Sequence, residues 1–332
     1  MSPPLQERIQ RLYDDTTRGW VDVWGEHLHH GHYSARGEPQ KDHLQAQVDM
    51  IDALLDWAGA PGPQSDRSGE AGIHSRPGPR GKQAERAGSE SDRSGEAGIH
   101  SRPGPRGLRI LDAGCGVGGS ARHLARRFAA QVDGVTLSPV QKRIADDLTQ
   151  AAGLDDDVRV HVADANRTPF EDGTFDLVWS LESGEHMPDK SAFLQECLRV
   201  LRPGGRLIAA TWCHRPDPTP LSDGERRHLA SISRAYGSSL TWVPLRRYEE
   251  LLGHLPVHQV RTEDWSATVY PFWSAVIRSV FTPKGVRALV GGGRSMVRGA
   301  WGGLYMRSGI RSGLVRYVVM TAVKDGNNED MA

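Results

Sequence analysis

LRILDAGCGVGGS occupies residues 108–120, and GVTLSPVQ follows at residues 134–141. The first string reads as a short apolar strand, a glycine-rich turn and the start of a helix. Gly114, Gly116 and Gly119 are spaced so that the strand turns sharply and a ligand lies against bare backbone. The second string marks the end of the next strand, where side chains meet the same ligand. Together they indicate a nucleotide-type cofactor site in an α/β fold.

The glycines alone leave the cofactor open. A dinucleotide fold needs an acid closing the second strand to hold a ribose hydroxyl. The nearest acid, Asp133, precedes Gly-Val-Thr-Leu and so lies inside that strand. Asp112, Ala113 and Cys115 suit the S-adenosylmethionine version of the loop better, although any α/β protein can carry a glycine-rich turn. Residues 158–163 alternate like a strand and end at Asp164 and Ala165, where a carboxylate can accept from an adenine amino group. PFEDGTFDLVWS (169–180) and LRPGGRLIAATW (201–212) each run from a glycine turn into an apolar stretch of strand length. Strands alternating with helices predict a parallel, doubly wound sheet with ligands at the strands' carboxyl ends.

From residue 12 to residue 324, one insertion aside, the chain resembles the γ-tocopherol C-methyltransferase family. The resemblance rests on WGEHLHHGHY (24–33), LDAGCGVGGSARHLA (111–125), GVTLSPVQ, FDLVWSLESGEHMPDK (175–190), TWCHR (211–215) and DWSATVYPFW (264–273). It implies a class I methyltransferase, with a Rossmann-like seven-stranded sheet whose final pair is antiparallel, a helical N-terminal lid and a C-terminal substrate cap. It also implies S-adenosyl-L-methionine as cofactor and a prenylated phenol as substrate. Plant relatives that methylate alkaloids keep open N- or O-methylation of another small hydrophobic molecule.

Under that resemblance Gly114, Gly116 and Gly118 admit the methionine part of the cofactor, and Asp112 orients the loop. Thr136 and Gln141 replace the usual ribose acid, as in the cyclopropane-synthase-like TLSxxQ string; the plainer reading makes Thr136 a helix-start residue before Pro139. Asp164 and Ala165 bracket the adenine, Ser180 lies beneath the methyl group, and Tyr33 faces the cofactor from the lid. Transfer from a sulfonium is an in-line displacement, so alignment and exclusion of water supply much of the catalysis. A phenol attacking through carbon must also lose a proton. Glu182, Glu185 and His186 are the candidate bases, His186 first because its unperturbed pKa is roughly 6.5, with His214 as second choice. The alternative is that Glu185 or His186 only caps the next helix or holds the loop.

The expected organisation is a lid at 1–60, an insertion at 61–107, a cofactor-binding core at 108–215, a substrate cap with the last two strands at 216–325, and a tail at 326–332. The insertion holds SDRSGEAGIHSRPGPRG twice, at 65–81 and 91–107, and its composition predicts disorder. Two copies are too few for a solenoid, which needs about three. His27, His29, His30 and His32 invite a metal reading, but the family carries this segment without one, and no metal is expected. Three cysteines without pairing pattern fit a reducing cytosol. The first residues are too short and acidic for a transit peptide.

No acid lies between Asp264 and Asp325, whereas Arg278, Lys284, Arg287, Arg294, Arg298, Arg307, Arg311, Arg316 and Lys324 do. Interleaved aromatics include Trp273, Trp301 and Tyr305. Such a segment suits peripheral contact with an anionic membrane, or simply solvated helix faces. No recognition motif suggests nucleic acid. Trp242, Trp273 and Trp301 read equally as walls of the acceptor cavity or as simple core. The oligomeric state is left open.

Overall fold

The computed structural model describes residues 4–33, 41–60, 107–216, 219–237, 240–280, 282 and 293–326. The repeat insertion apart from Gly107, the tail after residue 326, Lys284, Arg287 and the side chains of Arg278, Arg294 and Arg298 lie outside these residues.

The apolar run before the glycines forms β1 (Arg109–Ala113), whose Ile110 to Ala113 are all buried. A central parallel strand covered on both faces needs such a continuous run. β1 pairs in parallel with β2 (Gln131–Thr136) and with β4 (Phe175–Leu181), and β3 (Val158–Val162) extends the β2 side. β5 (Leu201–His214) continues from β4, and β7 (Val315–Lys324) lies antiparallel between β5 and β6 (Val257–Asp264). The order is β3-β2-β1-β4-β5-β7-β6, a seven-stranded sheet with the expected antiparallel pair. It reverses direction of winding between β1 and β4, where open α/β sheets place their ligands.

Helix α3 (Gly119–Phe128) follows the glycine loop, and α4 (Pro139–Ala151) follows β2. The start of α4 is made by Ser138, whose hydroxyl accepts the Gln141 N–H at 3.0 Å, with Pro139 opening the first turn. Thr136 therefore is not the cap; its hydroxyl donates to Gln141 Oε1 at 2.6 Å. Helix α5 (Lys190–Val200) connects β4 to β5.

The N-terminal segment adds α1 (Leu5–Trp24) and α2 (His43–Ala58). Helix α2 buries Met50, Ile51, Leu54, Leu55 and Ala58 along one stripe and ends at Gly59 in a left-handed conformation, φ 62°. On the opposite part of the chain, α6 (Asp223–Ala235), α7 (Leu245–Gly253), α8 (Ser266–Val280) and α9 (Gly293–Arg311) surround β6 and β7, with α9 packed on α6 and α8. Among the described residues, no helix is long and apolar enough to cross a membrane.

Candidate active site

The carboxyl ends of β1 to β5 open on one cavity of 580 Å3. That volume lies within the range of small-molecule and cofactor sites, about 300–1,000 Å3. Asp112, Gly114, Gly116, Thr136, Gln141, Asp164 and Ala165 line one part, and Glu182, Glu185 and His186 line another. The loop needs glycine at two points for different reasons. Gly114 has φ 93°, and a Cβ there would run into the Ser183 side chain. A Cβ on Gly119 would meet the Glu26 carbonyl and stand 2.8 Å from His27 Nδ1, so this glycine lets the N-terminal arm close on the loop.

Several expected contacts fall elsewhere. Tyr33 is 1% exposed and sits in the core beside α2, away from the cavity wall, because its N–H is anchored to the Thr268 carbonyl at 3.2 Å. Gly118 turns the chain into α3 with φ 76° and faces Arg122 and Ala145 behind the loop. Ser180 lies beneath Ser183, hydroxyl to hydroxyl at 2.7 Å, and of the two it is Ser183 that reaches the wall. His214 is off the wall; its Nδ1 meets the Arg215 carbonyl at 2.8 Å and its backbone bridges to Pro244. Trp273 lines the cavity, but Trp242 bonds Ser233 through its indole nitrogen and Trp301 is 60% exposed.

The three remaining candidate bases differ sharply in their surroundings. Glu182 accepts three hydrogen bonds, from His30 N–H at 2.8 Å, His30 Nδ1 at 2.6 Å and Tyr317 Oη at 3.0 Å. Burial alone would raise its pKa, but the His30 ring, its two hydrogen bonds to Glu182 and nearby His29 hold it below the usual carboxylate range. Its backbone stands at φ 57°, a strained conformation for a residue with a side chain. Glu185 accepts a hydrogen bond from Thr211 Oγ1 at 2.8 Å. Burial, reinforced by the Glu182 charge, pushes its carboxyl up to about 7. His186 Nε2 is bonded to the Tyr13 hydroxyl at 2.8 Å, and burial keeps that phenol protonated by raising its pKa.

Holding this loop is the task of Lys190, whose ammonium donates to the Gly184 and Met187 carbonyls at 2.6 Å and to Glu185 O at 3.3 Å. Burial lowers its pKa to about 8. The cofactor side carries its own unsatisfied group. Asp112 Oδ2 is buried without a partner among the described residues, and burial lifts the carboxyl to about 7 against the Ala121 N–H and Arg122.

The N-terminal arm contributes more than its motif suggested. From α1, Gln6 donates to Asp164 Oδ2 at 2.6 Å, Asp14 accepts from Ser138 and Tyr13 reaches His186. Buried Arg122 ties Glu26 to the glycine loop through Nε and Nη2, at 2.9 and 2.7 Å, while Nη1 donates to Val117 O. Gln47 of α2 donates to the His27 and His29 carbonyls. Burial drives the His27 pKa down to about 2, with His29 and neighbouring cations adding to it. Trp20 and Trp24 of the arm join Trp212, Phe272, Trp273 and Met306 in an aromatic and apolar chamber. These residues are scattered along the chain: WGEHLHHGHY holds Trp24, TWCHR holds Trp212 and DWSATVYPFW holds Phe272 and Trp273, while Trp20 and Met306 lie outside these strings.

A family profile described as a methyltransferase domain matches residues 111–209. The chloroplastic tocopherol O-methyltransferase of Arabidopsis thaliana is 36% identical over 326 residues, covering 96% of this chain and 82% of that protein. The chain belongs to the tocopherol methyltransferase family. It is an S-adenosylmethionine-dependent methyltransferase with the class I fold. The 2-methyl-6-phytyl-1,4-hydroquinone methyltransferase of Synechocystis sp. is 31% identical, over 96% of this chain and 88% of its own. In structure the chain resembles a geranyl diphosphate methyltransferase solved with GPP and sinefungin, with a TM-score of 0.65, 23% identity and coverage of 97% and 100%. At that identity the likeness concerns the fold alone.

Proposed function

We propose that this enzyme methylates a ring carbon of a phenol or quinol carrying a long hydrocarbon tail. One observation carries the reading: the glycine loop and the Glu185 carboxyl share a single cavity whose far part is walled by tryptophan, phenylalanine and methionine. The relatives named for tocopherol and for a phytyl hydroquinone support the choice of acceptor.

When bound, S-adenosylmethionine supplies an electrophilic methyl group. Asp112 Oδ2 takes its ammonium group, the backbone at Gly114 and Gly116 accommodates the methionine part, Thr136 and Gln141 hold the ribose, and Asp164 with Ala165 frames the adenine. Gly118 shapes the loop from behind, and Ser180 supports Ser183. Glu185 collects the proton that the ring carbon releases after methylation, a task matched by a carboxyl lifted to about 7. His186, tethered to Tyr13, orients the acceptor beside it. The helices covering the chamber exclude water.

The stretch of α9 that sends Met306 into the cavity also exposes Trp301, Leu304 and Tyr305. This face, on a segment with basic and no acidic residues between 265 and 324, touches an anionic bilayer from which the acceptor is drawn. Contact is peripheral.

Incubation with labelled cofactor and a panel of γ-tocopherol, prenylquinols and amines tests the reading. Label on the aromatic ring of a phenol is the expected result; label confined to amines or to phenolic oxygen overturns it. Vesicle co-sedimentation that increases with anionic lipid supports the surface contact, and indifference to lipid charge and salt removes it.

A further inference from the structure

His30 is the least explained polar residue of the cavity. Its side chain is 10% exposed, and both its backbone N–H and its Nδ1 are bound to Glu182. Its ring is packed between Trp212, Phe272 and Trp273, with centroids at 4.8, 4.3 and 4.8 Å. Its Nε2, however, is buried with no hydrogen-bond partner among the described residues. The Trp273 indole N–H beside it is orphaned in the same way. Buried polar atoms left unmade cost about 1–3 kcal/mol each, so two on adjacent rings of a ligand cavity require an explanation.

The two atoms are complementary. With Nδ1–H donated to Glu182, the neutral ring presents Nε2 as an acceptor, and the indole presents a donor. A hydroxyl group satisfies both at once, because it donates one hydrogen bond and accepts another. Glu182 is held as the orienting carboxylate by Tyr317 and by its own strained backbone, which would persist only under such restraint. The charged and titratable groups facing His30 are Glu182 from the end of β4, Tyr317 from β7 and His29 on its own arm.

We propose that His30 is a catalytic residue that binds the acceptor's hydroxyl through Nε2 and removes its proton, with Glu182 as positioning residue and Trp273 Nε1 donating to the same oxygen. This assignment rests on the phenol reading of the acceptor. As the ring carbon takes the methyl group, the C–C bond forms from ring electrons, the sulfur–methyl bond breaks with its pair going to sulfur, and the hydroxyl proton passes to His30. The resulting dienone then loses its ring proton to Glu185, the C–H pair restores aromaticity, and His30 returns its proton to the oxygen. One proton leaves the site, carried by Glu185. Glu185 and His30 thus handle two different protons, and Glu182 stabilises the imidazolium between the steps.

The test compares His30→Gln, Glu182→Gln and Trp273→Phe with wild type, using cofactor binding by calorimetry and turnover of γ-tocopherol against pH. The expected His30→Gln enzyme binds S-adenosylmethionine like wild type and loses about 100-fold or more in kcat, the usual contribution of a positioned base. The Glu182→Gln enzyme, lacking the charge that favours the imidazolium, has the acidic limb of its kcat profile moved down by about one pH unit. Trp273→Phe raises KM for the phenol more than it lowers kcat. Retention of wild-type turnover by His30→Gln, or an unmoved acidic limb in Glu182→Gln, overturns the assignment. Where His30→Gln fails to bind cofactor, the Glu182→Gln profile and the Trp273→Phe KM decide. A wild-type enzyme that methylates no phenol refutes the acceptor reading instead, which keeps the two failures distinct.

Discussion

Replacing Glu185 by Gln should make the protein more stable and less active, in a pH-dependent way that follows from its surroundings. In the fold the carboxyl titrates at about 7 rather than at the ordinary 4.5, chiefly because it is buried and then because Glu182 stands near. Below pH 4.5 the residue is protonated in both folded and unfolded chains and contributes no pH dependence. Between these values the unfolded chain releases the proton and the folded chain keeps it, so stability falls as pH rises. Raising the carboxyl from 4.5 to about 7 costs about 3 kcal/mol of stability above pH 7, at about 1.36 kcal/mol per pH unit. Gln keeps the shape and an acceptor for Thr211 without ionising. Urea unfolding of both proteins at pH 4.5 and pH 8 should give a difference that grows by about 3 kcal/mol at the higher pH, on the order of 5 °C in melting temperature. Asp112, raised in the same direction, is present in both proteins and cancels in the difference. A stability difference that is the same at both pH values would refute the burial argument, and full activity of Glu185→Gln would refute the role assigned to it.

Gly119→Ala drives a methyl group against the Glu26 carbonyl and His27, so the arm lifts and affinity for S-adenosylmethionine falls about tenfold, about 1.4 kcal/mol, by calorimetry; unchanged affinity would show the arm is not needed for binding. Lys190→Met leaves three loop carbonyls without their donor and should lower stability by about 3 kcal/mol while disabling turnover, read by chemical unfolding and steady-state rates. A chain lacking residues 63–106 should keep cofactor affinity within about twofold, since low-complexity insertions are tolerated; lost binding would contradict that reading.

What was legible in the sequence was local. The glycine loop, Thr136 with Gln141, and Asp164 with Ala165 lie at successive strand ends, where period and turn residues announce them. The acid–base chamber was less so, because its decisive pairs join distant segments: His30 meets Glu182 across 152 positions and Tyr13 meets His186 across 173. A histidine-rich string shows that imidazoles are present but not which one finds a carboxylate. The same limit explains Tyr33, whose aromatic ring reads equally well as lid or core until α2 is seen beside it. Ser180 and Ser183 are three residues apart, and only the bend after β4 shows which one reaches the wall.

Helix α1 touches Asp164, Ser138 and the Tyr13 partner His186 along one face. A single element thus answers to the adenine end, the start of α4 and the acceptor loop at once. Any molecule that favours its docked position strengthens the others by the same factor, since coupling between sites is reciprocal. A cofactor that favours the docked helix should therefore tighten acceptor binding, and the acceptor should tighten cofactor binding by the same factor. Loosening any one of the three contacts of α1 should then weaken cofactor and acceptor binding together, although each contact meets a different part of the chain.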